Sequence, residues 1–366
     1  MARNVSKIEN PKRIENPNSI AAVDDLLAGV GLSHGRRLIR RDSPRYRRQE
    51  PDELVGTPPT ELALHRDGVV EVLMVPRWQK THVPHAFSTR RGGLSTAYRR
   101  DESPAPEMGP GEMNLGLTEA DEAGNVLENR RLLLAAAGAA GRTLITLKQI
   151  HSGLTRRVTR ADADSSLRAD GLMTDDPRVM LGIQTADCVP VLVRDRRTHA
   201  VAAFHAGWRG TLKRIVEGGI GKMRLEFGSR PEELEAAIGP AIGACCYAVG
   251  EEVRSEFLSQ FSYAPELFSE IYDSDPVKEK YPLLFLTARA PGHSNIGPNL
   301  HLNLIEANRR QLLDAGLRAE SIATAYRCTN CEPETFFSYR AEHGFCGRMM
   351  SVIGAGRTGG RAFGAS

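Results

Sequence analysis

His151 in LKQIHSG, Cys188 in QTADCVPVL and His205 in AFHAGWRG are three soft metal ligands, each placed where a strand-like run breaks into a turn of small residues. Neutral imidazole and thiolate suit Zn²⁺, and three protein ligands leave a fourth position for water or substrate, as catalytic zinc requires and structural zinc does not. The three therefore read as one open His₂Cys zinc site. Spacing alone does not establish it, because no short ligand period links His151 to Cys188; two half-buried histidines and a core cysteine are the competing reading. Without metal, Cys188 beside either histidine has what thiolate activation needs, a Cys–His hydrolase arrangement. Asp187, directly before Cys188, suits a hydrogen bond to a ligand histidine, a base acting on metal-activated water, or a turn-capping carboxylate.

The elements that must position these residues are legible as short β-rich runs. LITLKQI, VMLGIQT, VPVLVRD and HAVAAFHA, separated by glycine and charged turns, carry the three ligands at or near their ends, and VVEVLMVP opens the series as an earlier strand. NVLENRRLLLAAAG predicts a helix capped at Asn125, running through Ala137 and stopped at Gly138; HLNLIEANRRQLLDAGL predicts an amphipathic helix ending at Gly316. YAVGEEVRSEF has helical character and SIATAYRCT returns as a strand. Strands and helices interleave without strict βαβ alternation, so the expected fold is α/β of the α+β kind, mixed β-sheets covered by helices.

FSTRRGG (Phe87 to Gly93), NLGL (Asn114 to Leu117), ENRR (Glu128 to Arg131), KQIHSG, ADGLMT (Ala169 to Thr174), TADCVPVLV, HAGWRGT, GPAIGACCYAVGEEV (Gly239 to Val253) and CTNCEPETFFSYR (Cys328 to Arg340) follow one another in this order. Together, from about Val70 to about Ile353, they resemble the multicopper-oxidase-like laccase-domain family, which includes purine nucleoside phosphorylases and a peptidoglycan editing factor. Ser152, where a glycine or small residue is expected, and Gln184, where an apolar one is, depart from the pattern without touching a proposed ligand. The resemblance places His151, Cys188 and His205 on the family's zinc ligands. It implies a zinc-containing purine nucleoside phosphorylase acting on adenosine, inosine or methylthioadenosine with phosphate, with adenosine deamination as a further activity. A hydrolase that edits peptidoglycan precursors at the same His₂Cys site is the alternative it carries.

Phosphorolysis needs cations around the phosphate. Arg90 in STRRGG, Arg209 in HAGWRG and Arg340 in FFSYR are candidates, since guanidinium forks match phosphate, against a structural ion pair for each. Asn114 could contact substrate or serve a turn, and Cys245 could line the pocket. Cys245 and Cys246 read as free thiols, a disulfide between neighbours being strained. Cys328-Thr-Asn-Cys331 is one C-x-x-C with no second copy, so plain packing leads, with a structural zinc or a redox pair as alternatives. Trp208 and Phe337 suit base stacking or core packing. Phenol oxidation on copper is disfavoured, because ten histidines with no H-x-H pair cannot assemble a multicopper centre, His82 and His85 coming nearest; copper would be an adventitious substitute for zinc. A metal-stabilised interaction module without turnover would want a fourth ligand.

The 366 residues carry a formal charge of +3, too near neutral for a general polyanion binder, so nucleic acid is not the expected partner. The positive excess is local: Arg36, Arg37, Arg40, Arg41, Arg45, Arg47 and Arg48 crowd a segment poor in large apolar residues, which reads as a solvated arm. The motif string sets residues 1–65 as this basic N-terminal extension, 66–354 as one catalytic domain and 355–366 as a glycine-rich tail. IENP occurs twice near the start, with no function attached. Six cysteines are too few to staple such a chain, and Cys188 must stay reduced to bind metal, so a cytoplasmic setting is expected. No apolar run approaches the about 20 residues of a membrane span.

Overall fold

Apolar runs that stay hydrophobic on both alternations need two dry faces, and that requirement organises the molecule. The computed structural model describes residues 62–99, 111–163, 165–271 and 299–356. In chain order these form β1 (Ala63–Asp67), β2 (Val70–Met74), α1 (Pro76–Lys80), β3 (His85–Ser88), β4 (Arg91–Gly93), β5 (Gly111–Glu112) and α2 (Ala123–Ala136). Next come β6 (Thr143–Ile145), β7 (Thr155–Arg157), β8 (Gly171–Thr174), β9 (Val179–Thr185), β10 (Val189–Asp195) and β11 (Val201–Ala206). The helices α3 (Trp208–Leu212) and α4 (Ile215–Phe227), strand β12 (Leu234–Ile238) and helix α5 (Glu251–Gln260) follow. The last elements are β13 (Phe268–Ile271), β14 (Asn299–Leu302), α6 (Leu304–Asp314), β15 (Ile322–Thr324) and β16 (Met349–Gly354).

Two six-stranded sheets carry the core, one ordered β1-β2-β3-β16-β9-β6 and the other β15-β12-β10-β11-β8-β7. Both are mixed: β6 with β9, β7 with β8 and β12 with β15 pair in parallel, and the other neighbours are antiparallel. Phe87, Ile145, Leu181 and Ile183 of the first sheet meet Leu172, Leu192, Val201 and Ala203 of the second in one cluster, so the sheets face each other. The opposite alternation of the second sheet, Val189, Val191, Val193, Ala202 and Phe204, packs on Ile215, Val216 and Ile220 of α4, Phe257 of α5 and Leu312 of α6. Val72, Met180 and Val352 on the outer face of the first sheet pack on Leu133 and Leu134 of α2. The order of layers is helix, sheet, sheet, helix, and the expected mixed sheets covered by helices are observed.

Some boundaries differ from the sequence reading. Helix α2 starts at Ala123, with Glu122 at the cap position and no side-chain cap, so Asn125 is inside the helix. What fixes the helix is Asn129, fully buried, whose amide receives Leu94 N and donates to Ser95 Oγ, Glu112 O and Asn114 O. Helix α6 has a true cap, Asn303 accepting from Glu306 N, and Gly138 and Gly316 close α2 and α6 in positive φ as expected. Strand β1 straddles the proposed boundary at residue 65 and pairs in register with β2, so the ordered sheet begins earlier than the motif string suggested. The arginine-rich arm and the tail beyond residue 356 lie outside the described residues. Among the described residues no helix is long and apolar enough to cross a membrane.

His85 of β3 is buried inside this frame: its Nε2 accepts from Val75 N at 2.8 Å, and Nδ1 lies 2.8 Å from Val83 O and donates to it. Burial pushes its pKa down to about 4, against the pull of the Val83 carbonyl and with help from the charge of Arg194. Between the ordinary value of 6.5 and 4 the unfolded chain therefore binds a proton that the folded one refuses. Stability is full above 6.5 and falls as pH drops through this window, by ~3 kcal/mol from this residue at the lower end. Urea unfolding from pH 7 to 4.5 should show that loss, with the NMR signals of His85 still those of a neutral imidazole at pH 5.5. A protonated His85 at that pH would contradict it.

Candidate active site

The antiparallel pairing of β10 with β11 sets the end of β11 beside the start of β10, Val189 opposite Ala206 and Pro190 opposite His205. Cys188, one residue before β10, and His205, near the end of β11, are therefore neighbours although 17 positions apart in sequence. β8 pairs antiparallel with β11, Gly171 opposite Phe204, which brings Asp170 to the same end. His151 arrives from the loop after β6. The ligand atoms of His151, Cys188 and His205 all lie within 4.8 Å of one another. Cys188 Sγ is 3.9 Å from His151 Nε2, and the two imidazoles meet edge to face with centroids 4.9 Å apart.

Asp170 holds this arrangement. Its carboxylate, fully buried, accepts from three successive backbone N–H groups, Ile150, His151 and Ser152, at 2.6 to 3.3 Å, and from Ser152 Oγ at 2.7 Å. Its Oδ1 also meets His205 Nδ1 at 2.9 Å, and its own carbonyl accepts from His205 N. Burial alone would raise the pKa of this carboxyl, but the hydrogen bonds from His205 and Ser152 outweigh it and keep the group ionised well below the usual carboxylate range. With Nδ1 committed, Nε2 of His205 is the nitrogen left for a metal, the arrangement in which a carboxylate orients a ligand histidine. Sequence reasoning missed Asp170. The signal was there, an acidic residue at the mouth of the apolar strand GLMT.

The charges in the cluster support one another. Burial opposes ionisation of Cys188, yet the charge of His205 and hydrogen bonding with His151 and His205 bring its thiol down to about 6. Burial likewise opposes a proton on His205, but Cys188 and Asp170 raise its pKa to about 9. A site that holds a proton between thiolate and imidazole by these forces offers the same negative field to a divalent cation. The donor set fits one: two imidazoles and a thiolate within reach of a common centre, His151 exposed and Cys188 half-buried, so one side faces solvent. Gly207 maintains the space, since a Cβ there would sit 3.0 Å from both Cys188 Sγ and His151 Cδ2.

The backbone is strained where it delivers two of these residues. His151 has φ +55° and Asp187 φ +88°, left-handed conformations that non-glycine residues adopt at a cost of about 1 kcal/mol or more each. For His151 the compensation is the bond from its N–H to Asp170. Asp187 is held by its carboxylate, Oδ1 accepting from Thr329 Oγ1 at 2.6 Å and Oδ2 from Arg340 N at 2.7 Å. These bonds commit both oxygens, and they make Asp187 the turn-fixing carboxylate of the sequence alternatives; no hydrogen bond joins it to a ligand histidine. Gln149 does similar work beside Gln184, exchanging N–H and C=O bonds with its backbone at 2.8 Å each.

The arginine candidates separate. Arg90 is 2% exposed, with its guanidinium bonded to Glu112, Glu342, Pro333 O and Tyr98 O and lying over the buried Phe337 ring. It is an internal ion pair, a correction to its reading as a phosphate ligand, and Phe337 beneath it is core. Asn114 is likewise buried and spends its amide on Gly116, Asp121 and Arg348 N, which makes it a turn residue. Arg209 is exposed, stacks on Trp208 and has no carboxylate partner among the described residues. Arg340 is exposed as well, near the carbonyls of Cys246 and Ala248 and over the Tyr247 ring. Burial raises the Tyr247 hydroxyl to about 12, with Cys188 and Asp187 pushing it up and Arg340 and Arg209 pulling it down. Tyr247 is a second residue the sequence reading passed over. The sulfur of Cys245 is 3.5 Å from that of Cys331.

Residues 84–356 match the family described as multi-copper polyphenol oxidoreductase laccase. A purine nucleoside phosphorylase of Deinococcus radiodurans is 34% identical over 280 residues, 76% of this chain and 92% of that protein. A protein named adenosine deaminase RL5, from an unknown prokaryotic organism, is 31% identical over 265 residues, 70% of this chain and 87% of the relative. Among solved structures, the YfiH protein of Bacillus licheniformis, 30% identical, superimposes with a TM-score of 0.64 over 80% of this chain and 99% of its own. The strand ends and the loop that gather His151, Cys188 and His205 thus lie within a match that spans most of the chain, and the protein belongs to the multi-copper polyphenol oxidoreductase laccase family.

Proposed function

We propose that the protein is a zinc-containing purine nucleoside phosphorylase that converts adenosine, inosine or methylthioadenosine and phosphate to free base and the ribose 1-phosphate. The observation that supports the reading is an open His₂Cys cluster together with two exposed guanidinium groups, Arg209 stacked on Trp208 and Arg340 over Tyr247, both of which act on the Tyr247 hydroxyl. His151, Cys188 and His205 would hold zinc, which when bound supplies a Lewis acid to the reacting centre. Arg209 and Arg340 receive phosphate through their N–H forks, a role closed to Arg90, and orient one of its oxygens towards C1′ of the ribose. As the C1′–O bond forms and the glycosidic C–N bond breaks, the purine leaves with the bonding pair. Tyr247, its hydroxyl kept protonated at neutral pH, donates a hydrogen bond to the developing negative charge. Asp170 touches neither substrate; it fixes the tautomer and direction of His205.

Deamination is the second activity this site suits, on the likeness to a protein named adenosine deaminase. Water would replace phosphate as nucleophile, at C6 of the base, with ammonia as the leaving group. A multicopper oxidase reading remains disfavoured by the histidines themselves: His85 is locked between Val75 and Val83, and His301 is bonded to Ala244 O.

Chromatography of inosine or adenosine incubated with the protein decides between these activities. Phosphate-dependent release of hypoxanthine or adenine together with ribose 1-phosphate is expected, and it should vanish in Cys188→Ala; zinc-loaded protein that leaves both nucleosides intact would sink the proposal. Asp170→Asn should weaken zinc binding about 10- to 100-fold, measured by competition with a chromogenic chelator; unchanged affinity would remove Asp170 from its positioning role. Arg209→Ala and Arg340→Ala should each raise KM for phosphate about tenfold or more, on the order of the 1.5–3 kcal/mol of a charged hydrogen bond, with KM for the nucleoside little changed. A rise confined to the nucleoside would move the arginines to the base or sugar.

A further inference from the structure

Apart from the site above, four cysteines that the sequence offers as two unrelated pairs converge. Cys245 and Cys246 lie in the turn after β12, and Cys328 and Cys331 lie in the turn after β15. Because β12 and β15 are parallel neighbours in one sheet, both turns leave it at the same end. The pairing continues past the strands as a bridge between Ala241 and Cys328, with Thr329 N bonded to Ala241 O. All four sulfurs lie within 4.8 Å of one another, with Cys246 and Cys245 Sγ at 3.3 and 3.5 Å from Cys331 Sγ. None of the four is in a disulfide. The missing second half of the C-x-x-C is therefore supplied by an adjacent pair, which no spacing rule would find.

We propose that Cys245, Cys246, Cys328 and Cys331 bind one Zn²⁺ as a closed, structural site. Four thiolates around one ion at ~2.3 Å would be spaced ~3.8 Å apart at tetrahedral angles, close to the 3.3 and 3.5 Å seen here and inside the 4.8 Å that bounds all four sulfurs. The donor set is all sulfur, which selects zinc over harder cations, and no ligand position is left for substrate. Two further features match a thiolate site. Gly243 N donates to Cys328 Sγ at 3.2 Å, a backbone bond that stabilises a charged sulfur. A Cβ on Gly243 would lie 3.1 Å from Cys245 Sγ and 3.3 Å from Cys328 Cβ, so glycine permits the two turns to close on each other. The carbonyl of the same glycine accepts from Cys246 N and Tyr247 N, which aims the adjacent cysteines together.

Such an ion would join segments 85 positions apart, and both feed the active site. Tyr247 directly follows Cys246; Thr329, between the second pair, holds Asp187; Arg340 reaches the carbonyls of Cys246 and Ala248. The zinc would thus fix the wall that carries Tyr247 and Arg340, without taking part in the reaction.

The test uses the full chain, purified under reducing conditions and desalted, with zinc counted by mass spectrometry. A His151→Ala/Cys188→Ala double variant should retain one equivalent of zinc, and adding Cys328→Ser to it should remove that ion. Cobalt substituted into the double variant should give the thiolate charge-transfer intensity of four sulfurs. In the unaltered protein, mercurial titration should release this zinc as four thiols react, a readout that needs no variant to fold. Wild-type protein with one zinc that persists in the double variant would still support the four-cysteine site while failing the His₂Cys reading. The proposal is overturned if the double variant binds no zinc while its four thiols alkylate freely, if iron is the metal found, or if a Cys245–Cys331 or Cys246–Cys331 disulfide is mapped in unreduced protein.

Discussion

A buried carboxylate is expensive unless every lone pair is met, and Asp170 is the point where this protein accepts that cost. Taking one charge out of water on the shoulder of β8 obliges the chain to bring donors to it. They come from Ile150, His151 and Ser152, which must turn their N–H groups inward together, and from His205, which must turn Nδ1 the same way. The left-handed backbone of His151 follows from this demand, as does the direction of the remaining nitrogen of His205. Two residues of the cluster, on segments far apart in sequence, are thereby registered against one carboxylate. The third, Cys188, needs no such help because the β10 to β11 pairing puts it there.

This division explains how the site could be rigid on loops. His151 is exposed and lies outside any strand, yet its amide is tied to a residue with no exposure at all. Asp187 repeats the device on the other side of Cys188, using its carboxylate to bind Thr329 and the backbone of Arg340. Each strained residue in the site is thus matched by hydrogen bonds that would be lost if it relaxed, which is how such conformations persist.

Local signals made much of this readable from the sequence, and the failures have a common cause. The runs VMLGIQT, VPVLVRD and HAVAAFHA became β9, β10 and β11 because short continuous β-rich apolar runs are written into adjacent residues, and glycines closed α2 and α6 where the chain needs positive φ. His151, Cys188 and His205, which the fold brings within 4.8 Å of one another, were recognisable as candidate ligands from their residue types and the words around them. Asp170 was not, because its meaning depends on partners 18 to 35 positions away. Arg90 misled for the same reason: STRRGG looks like an anion loop until Glu112 and Glu342 are brought to it by the fold. The four cysteines were unreadable as a group because sheet order, which unites them, is set by packing rather than by spacing.

The fate of the arginines gives a general criterion for anion sites. Arg90 is a crosslink: both carboxylates are within 3.0 Å, its exposure is nearly nil, and an incoming phosphate would have to break pairs already desolvated. Arg209 and Arg340 are the reverse case, exposed charges with aromatic faces beneath them and no carboxylate partner among the described residues, Arg340 meeting only the carbonyls of Cys246 and Ala248. In the proposed reaction a phosphate beside them would have no ion pair to break among the described residues, while Trp208 and Tyr247 limit the conformations the guanidiniums would lose on binding. The Tyr247 hydroxyl is pushed up by Cys188 and Asp187 and pulled down by Arg340 and Arg209, so this group feels charges of both signs at once. In the proposed phosphorolysis the anion and the leaving group arrive on separate molecules, and the exposed guanidiniums would serve the phosphate while the neutral nucleoside is left to the aromatic rings.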